Sequence, residues 1–345
     1  MPRTLLLWLL VFICGCWLAI DTGVASPEGE RLLDAHLPRF EPGPPLQGGL
    51  HSVGSDSMDV ITFHWIQLFR QIHPQVRVTM EARSSLTAAP ALTTGLADMA
   101  PIGRELLPSE LAMFRQKFGY DPLLIRVGSG SYATDNRTHA LAVYVHRDNP
   151  LRGLTLAQLD AIFSTSNKRG HSGDIKTWGD LGLGGEWHDR PITLYAMRRP
   201  NGIVNFFQQR VLLGGEFKTT IRERTNSNDK GALSSVVESL ENDPGGIGYA
   251  GFSHALPGVR AVELAEESAG PFVAGTPESV ADRTYPLARW IYIAVNKPPG
   301  QALPPNVREF LRLVLSREGQ RIVAQDGAYL PLSAEVVREE QARLE

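Results

Sequence analysis

The chain of 345 residues has two cysteines, Cys14 and Cys16, both close to its N-terminus. A mature chain starting beyond them carries no thiol, which excludes a disulfide framework and any paired-cysteine metal site. Lys/Arg runs are also missing and the formal net charge is −3, so the basic footprint of a nucleic-acid-binding protein is absent. The nine histidines are scattered, with no His-Glu-x-x-His, and no Gly-x-Ser-x-Gly occurs. A secreted hydrolase would therefore lack both its metal cluster and its nucleophile, and the sequence implies neither enzyme activity nor a cofactor nor a metal. No apolar run is long enough to span a membrane. The run from Leu5 to Ile20 follows Arg3 and precedes the small residues Gly23-Val-Ala25, the pattern of a secretory signal peptide over residues 1–25.

A second reading of the same segment takes Ile13-Cys14-Gly15-Cys16 as a lipobox with Cys16 as the lipidated first residue. Either way the protein is exported, to the periplasm. Residues 26–47 contain Pro27, Pro38, Pro42, Gly43, Pro44 and Pro45, and they read as a Pro/Gly-rich linker. The chain as a whole is 43% apolar, enough for a substantial core, and its length favours two lobes.

The informative stretch is His51-Ser-Val-Gly-Ser-Asp-Ser-Met58. An apolar start runs into a Gly-Ser-Asp-Ser turn, and then Met58, Ile61, Trp65, Leu68 and Ile72 recur at helical spacing. Strand, hydroxyl-rich turn and helix N-terminus in that order offer unpaired backbone N–H groups to an oxyanion, with Ser55, Asp56 or Ser57 as the N-cap. Capping by itself also accounts for these residue types. A strand at Val76, Val78 and Met80 then delivers Arg83-Ser-Ser-Leu-Thr-Ala88, a second hydroxyl-rich turn that opens a second helix, with Pro90 expected in its first turn. Strand and helix keep alternating, which predicts an α/β architecture with a largely parallel sheet and a ligand crevice at its carboxyl edge. Leu123 to Val127 reads as a strand and Gly128-Ser-Gly-Ser131 as a flexible turn. Thr155 and Gln158 have capping-box spacing. A third strand-to-helix turn spans Met197-Arg-Arg-Pro-Asn-Gly202 before Phe206-Phe207, and residues 304–323 read as one long amphipathic helix.

Taken together, Gly54-Ser-Asp-Ser-Met58, Gly95-Leu-Ala-Asp98, Gly103-Arg104, Phe206-Phe207, Val211-Leu-Leu-Gly214, Ile247-Gly-Tyr249, Val295-Asn-Lys-Pro-Pro-Gly300 and Tyr329-Leu-Pro331 carry a resemblance. The chain beyond about residue 47 resembles the periplasmic phosphate-binding proteins of phosphate ABC transporters, within the type II periplasmic-binding-protein fold. The resemblance implies two lobes with mixed sheets and helices on both faces, and a ligand cleft between them. Crossovers are expected near residues 134–140 and 248–256, so residues 48–137 and 255–345 form the first lobe and 138–254 the second. It implies phosphate held by Ser55, Asp56 and Ser57 of the first turn and by Ser84, Ser85 and Thr87 of the second, with Arg104 beside them.

The family's third element is an Arg followed by a Ser-Gly-Thr turn. Here Met197 stands at the Arg, Asn201 at the Ser, Gly202 at the Gly and Ile203 at the Thr, and Arg198 is the guanidinium one residue on. Each charge-assisted hydrogen bond lost to a desolvated anion costs roughly 1.5–3 kcal/mol, about tenfold to a hundredfold in affinity. The expected function is capture of inorganic phosphate or a related oxyanion by a monomer that hands it to an inner-membrane ABC permease. The alternative is a divergent member that binds another small oxyanion or phosphoester, or that senses rather than transports. An ionised carboxylate such as Asp56 would favour a proton-bearing phosphate over sulfate.

Overall fold

In Val76-Arg-Val-Thr-Met80 every second residue is apolar, and Val76 and Val78 are buried while Arg77 and Thr79 are exposed, as a half-buried strand requires. The computed structural model describes residues 31, 33–134, 137–226 and 231–345. Residues 1–25, where the sequence leads one to expect an export signal, and both cysteines lie outside those residues.

The first sheet begins with strands Gly48–Gly54 (β1), Val76–Ala82 (β2), Met99–Ile102 (β3) and Leu123–Ser129 (β4). Helices Asp59–Ile72 (α1), Ser85–Thr94 (α2) and Pro108–Phe118 (α3) connect them. The chain then crosses to Leu141–His146 (β5), Gly153–Thr155 (β6), Leu156–Phe163 (α4), Thr193–Met197 (β7), Gly202–Arg210 (α5), Arg222–Arg224 (β8) and Ala232–Glu241 (α6). Gly246–Gly251 (β9), Val259–Ala261 (β10), Glu263–Ala265 (β11) and Pro277–Ala281 (α7) come next. It returns through Trp290–Val295 (β12) to Pro305–Val314 (α8), Arg317–Asp326 (α9) and Ala334–Ala342 (α10).

The two large sheets share one plan. Their orders are β2-β1-β3-β12-β4 and β8-β7-β9-β5-β10, and β6 pairs with β11 apart from them. In each sheet the first three strands are parallel and the last two pairings are antiparallel, so both are mixed rather than largely parallel. Strand β7 thus holds the place in the second sheet that β1 holds in the first. Both faces of each sheet are covered. Along β5, Leu141, Val143 and Val145 enter one apolar cluster and Ala142 and Tyr144 another.

Several local expectations change. The return crossing lies later than 248–256, because β10 pairs antiparallel with β5, and Tyr285 and Leu287 still pack in the second lobe's core. Gly128 and Ser129 belong to β4 rather than to a flexible turn, and Ser129 exchanges backbone hydrogen bonds with Leu330 at 2.8 and 3.0 Å. Pro90 sits inside α2, beyond its first turn. The long helix over 304–323 is two helices, because the Ser316 Oγ accepts the Gly319 N–H at 3.2 Å and so starts α9 afresh.

The described part of the Pro/Gly-rich segment is docked on the first lobe. Leu33 and Leu37 are buried in that lobe's core. The Gly43 N–H donates to Glu309 at 2.6 Å, the Phe40 N–H to Glu318 at 2.7 Å and the Ala334 N–H to Asp34 at 2.8 Å. Among the described residues no helix is long and apolar enough to cross a membrane.

Candidate functional site

Strand β1 ends at Gly54, where a Cβ would lie 2.1 Å from the Pro101 carbonyl oxygen, so only glycine lets β1 run this close to β3. The Ser55 N–H then donates to that carbonyl at 2.9 Å, which pins the turn. Ser55 caps a short 3-10 turn, Asp56–Met58, and the α-helix proper starts only at Asp59. The Ser57 N–H donates both to Ser55 Oγ at 3.2 Å and to Asp56 Oδ1 at 3.0 Å, so Ser55 is the cap and Asp56, the first residue of the turn, borders the cleft.

The hydroxyls converge. Ser55 Oγ and Ser57 Oγ share a hydrogen bond at 2.8 Å, and Ser85 Oγ donates to Ser55 Oγ at 2.9 Å. Ser85 is the first residue of α2, whose N-cap Ser84 accepts the Leu86 N–H at 3.2 Å. Tyr329, whose phenol is pushed up by burial and stays a neutral donor, fixes the Ser57 carbonyl with a bond of 2.8 Å. Across the gap, Asn201 caps α5 by accepting the Ile203 N–H at 2.8 Å. A Cβ on Gly202 would come within 2.8 Å of Arg104 Cδ, so the walls of the two lobes nearly touch at this point.

Between them lies a cleft of about 490 Å³. Ser55, Asp56, Ser57, Ser84, Ser85, Arg104, Asn201 and Gly202 all line it. Thr87 does not, because its hydroxyl is turned back to the Ser84 carbonyl at 2.7 Å. The structure does not bring Arg198 there either. It is exposed at the edge of the second sheet, its N–H on the Arg224 carbonyl at 2.9 Å, and its neighbour Arg199 pairs with Glu223 at 2.7 Å.

Arg104 faces the cleft but is bound to Glu110 through both terminal nitrogens, at 2.8 and 2.7 Å, in a largely buried pair. Arg137, Thr138, His139 and Arg289 also line the cleft, and sequence reasoning passed over them as site residues. The available signal was position: all four stand in or beside the crossovers, and crossover residues border an interlobe cleft by topology. Thr138 donates to the Gly103 carbonyl, and a Cβ on Gly103 would sit 2.5 Å from Ser57 Oγ and 2.6 Å from Thr138 Oγ1, so a glycine keeps the floor open.

Three hydroxyls and the first turns of α2 and α5 bring neutral donors to this cleft, and three guanidinium groups, each paired with a carboxylate, add further N–H donors. A hollow of about 660 Å³ flanks the start of β7 in the second lobe, whereas the cleft meets the end of that strand. Its Lys218 is committed to the Ala161 and Ile175 carbonyls and to Asp174, and its Lys176 also pairs with Asp174, at 3.3 Å. Among the described residues no three His, Cys, Asp or Glu side chains converge as a metal site.

Residues 41–318 match the PBP superfamily domain. The chain is 38% identical over 317 residues to the phosphate-binding protein PstS of Pseudomonas aeruginosa, an alignment that covers 92% of this chain and 93% of that protein. In fold it is similar to an ABC-type phosphate transport receptor from Vibrio cholerae (TM-score 0.51, 19% identity, 82% of this chain and 100% of that one). It is similar also to PstS from Borrelia burgdorferi (TM-score 0.51, 18% identity, 83% and 99%).

Proposed function

The chain belongs to the PBP superfamily and, within it, to the family of the phosphate-binding protein PstS, and on that premise we propose that it is an extracytoplasmic receptor that captures inorganic phosphate between its lobes. One observation carries the reading: the Ser55, Ser57 and Ser85 hydroxyls and the N-termini of two helices from opposite lobes converge on a single cleft. Hydroxyls suit hydrogen phosphate because each can donate to a charged oxygen or accept the ligand's proton. Asp56 adds a carboxylate at the rim that repels an anion with no proton to give. The receptor acts without turnover, as a monomer, and delivers its ligand to an ABC permease in the inner membrane. The export signal over residues 1–25 is the basis for placing it there.

A second reading arises from the loop after β7. Met197 brings no charge and Arg198 turns outward, which favours a cleft altered for another oxyanion, a phosphoester or a sensing role. A thermal shift separates the two. Ligand-stripped protein gains stability in millimolar phosphate and not in sulfate if phosphate is the ligand, because a species that binds only the native state stabilises it by mass action. An equal response to both anions, or none, contradicts the phosphate reading.

A further inference from the structure

The cleft holds three guanidinium groups that differ in how many of their five N–H donors are already taken. Arg104 makes four bonds, to the Glu105 and Ser85 carbonyls and to both oxygens of Glu110, so its donors are nearly exhausted and its charge is matched. Arg137 spends Nη1 on the Ser57 carbonyl at 2.6 Å and faces Asp59 at 3.4 Å, with a quarter of its side chain exposed (25%). Arg289 is different. It is only 4% exposed, yet among the described residues its one side-chain partner is Glu105, 3.2 Å from Nη2, and its buried Nε–H has no acceptor.

That orphan is held in place with care. The Arg289 carbonyl accepts from the Gly130 N–H at 2.7 Å, from Arg283 Nη1 at 2.7 Å and from Ser129 Oγ at 3.3 Å, which fixes the backbone. The guanidinium lies over the Phe206 ring, 4.7 Å from its centroid. Glu105 belongs to the first lobe and Phe206 to α5 of the second, so Arg289 stands on the returning crossover with one wall of the cleft on each side. A buried N–H of a charged group without a partner is costly, and an ordered water or an ion commonly supplies the acceptor. An oxyanion seated in the cleft would be an acceptor for the terminal N–H donors that Glu105 leaves unused.

We propose that Arg289 is the anion-binding arginine of this cleft and supplies, through the terminal N–H donors that Glu105 leaves unused, the guanidinium contact that Met197 does not. The inference rests on the reading of the cleft as an oxyanion site. It assigns the ligand a tetrahedral anion with two oxygens presented to one guanidinium edge, the geometry in which a forked donor binds most strongly.

The test uses the wild-type protein labelled with 15N, with the Arg289 Nε–H resonance assigned by its absence from Arg289→Lys. Inorganic phosphate shifts that resonance. Arg289→Met, which keeps an unbranched apolar stem and removes the guanidinium, weakens phosphate binding about tenfold to a hundredfold, and Arg289→Lys falls between the two. Unchanged affinity in both variants makes Arg289 a structural link between Glu105 and Phe206 and overturns the proposal. So does an affinity loss with the wild-type resonance unmoved, because Arg289 would then act only by positioning the lobes. If the wild type takes up no phosphate, the phosphate reading fails on its own. The same resonance is then tracked with sulfate and a phosphomonoester, and if neither moves it the Arg289 assignment falls as well.

Discussion

At the residue scale the cleft is a set of groups that satisfy one another until a better partner arrives. Ser85 Oγ donates to Ser55 Oγ, which is also bonded to Ser57 Oγ, so none of the three hydroxyls is stranded when the cleft is empty. Exchanging these bonds for bonds to an anion gains only the difference between two hydrogen bonds. Ser85→Ala should therefore weaken phosphate binding by about twofold to tenfold, the span of roughly 0.5–1.5 kcal/mol for a neutral hydrogen bond, and calorimetry reads it directly. Gly202 makes the opposite case, because its importance lies in what it lacks. Gly202→Val places methyl groups where a Cβ alone already meets Arg104 Cδ at 2.8 Å. Affinity should fall at least about tenfold, or 1.4 kcal/mol, while the ligand-free thermal midpoint holds, since the wedge acts between the lobes and not within a core. A midpoint that drops while affinity is kept would contradict this placement.

At the element scale, the features legible in the sequence are those fixed by neighbours along the chain. Thr155 and Gln158 form the capping box their spacing announces, Gly119 stops α3 in a left-handed conformation, and Asn201 caps α5. Features decided by distant contacts were not legible. Periodicity runs unbroken from α8 into α9, and only the Ser316 cap divides them. Ser55, Ser57 and Ser85 could be picked out because they sit at helix starts, whereas Arg289 could not, since its meaning depends on counting donors among three arginines far apart in sequence.

The docked arm shows the same limit. Its prolines and glycines suggest a free tether, but Leu37 is 4% exposed against the first lobe. Leu37→Ala should cost about 2–5 kcal/mol, against almost nothing for a residue in a solvated linker, and denaturant unfolding distinguishes the two. Asp34 adds a pH dependence to the arm. Its carboxylate accepts the backbone N–H groups of Ala334 and His36, which hold its pKa below the ordinary 3.8. With the folded value depressed, the stabilisation is complete above 3.8 and is lost as pH falls through the lower folded value. Hydrogen exchange at Ala334 should accelerate in that acid window in the wild type and already at neutral pH in Asp34→Ala.

At the scale of the whole molecule, the shared sheet plan explains why the site lies where it does. Each sheet places its second strand, β1 or β7, next to a parallel neighbour on either side and sends the chain from its carboxyl end into a capped turn. Two crossovers set those ends face to face, and residues with no role in either core, among them Arg137 and Thr138, border the gap. The lobes contribute unequally: hydroxyls come from the first and a capped helix end from the second, so a tightly held anion requires both. The most direct test is calorimetric titration of the ligand-stripped protein with inorganic phosphate, beside the Ser57→Ala, Ser85→Ala double variant and with sulfate as control. Micromolar or tighter binding of one phosphate per chain, weakened in the double variant and absent for sulfate, is the predicted result. Phosphate binding of equal strength in wild type and double variant, or no heat at millimolar phosphate, would contradict the account.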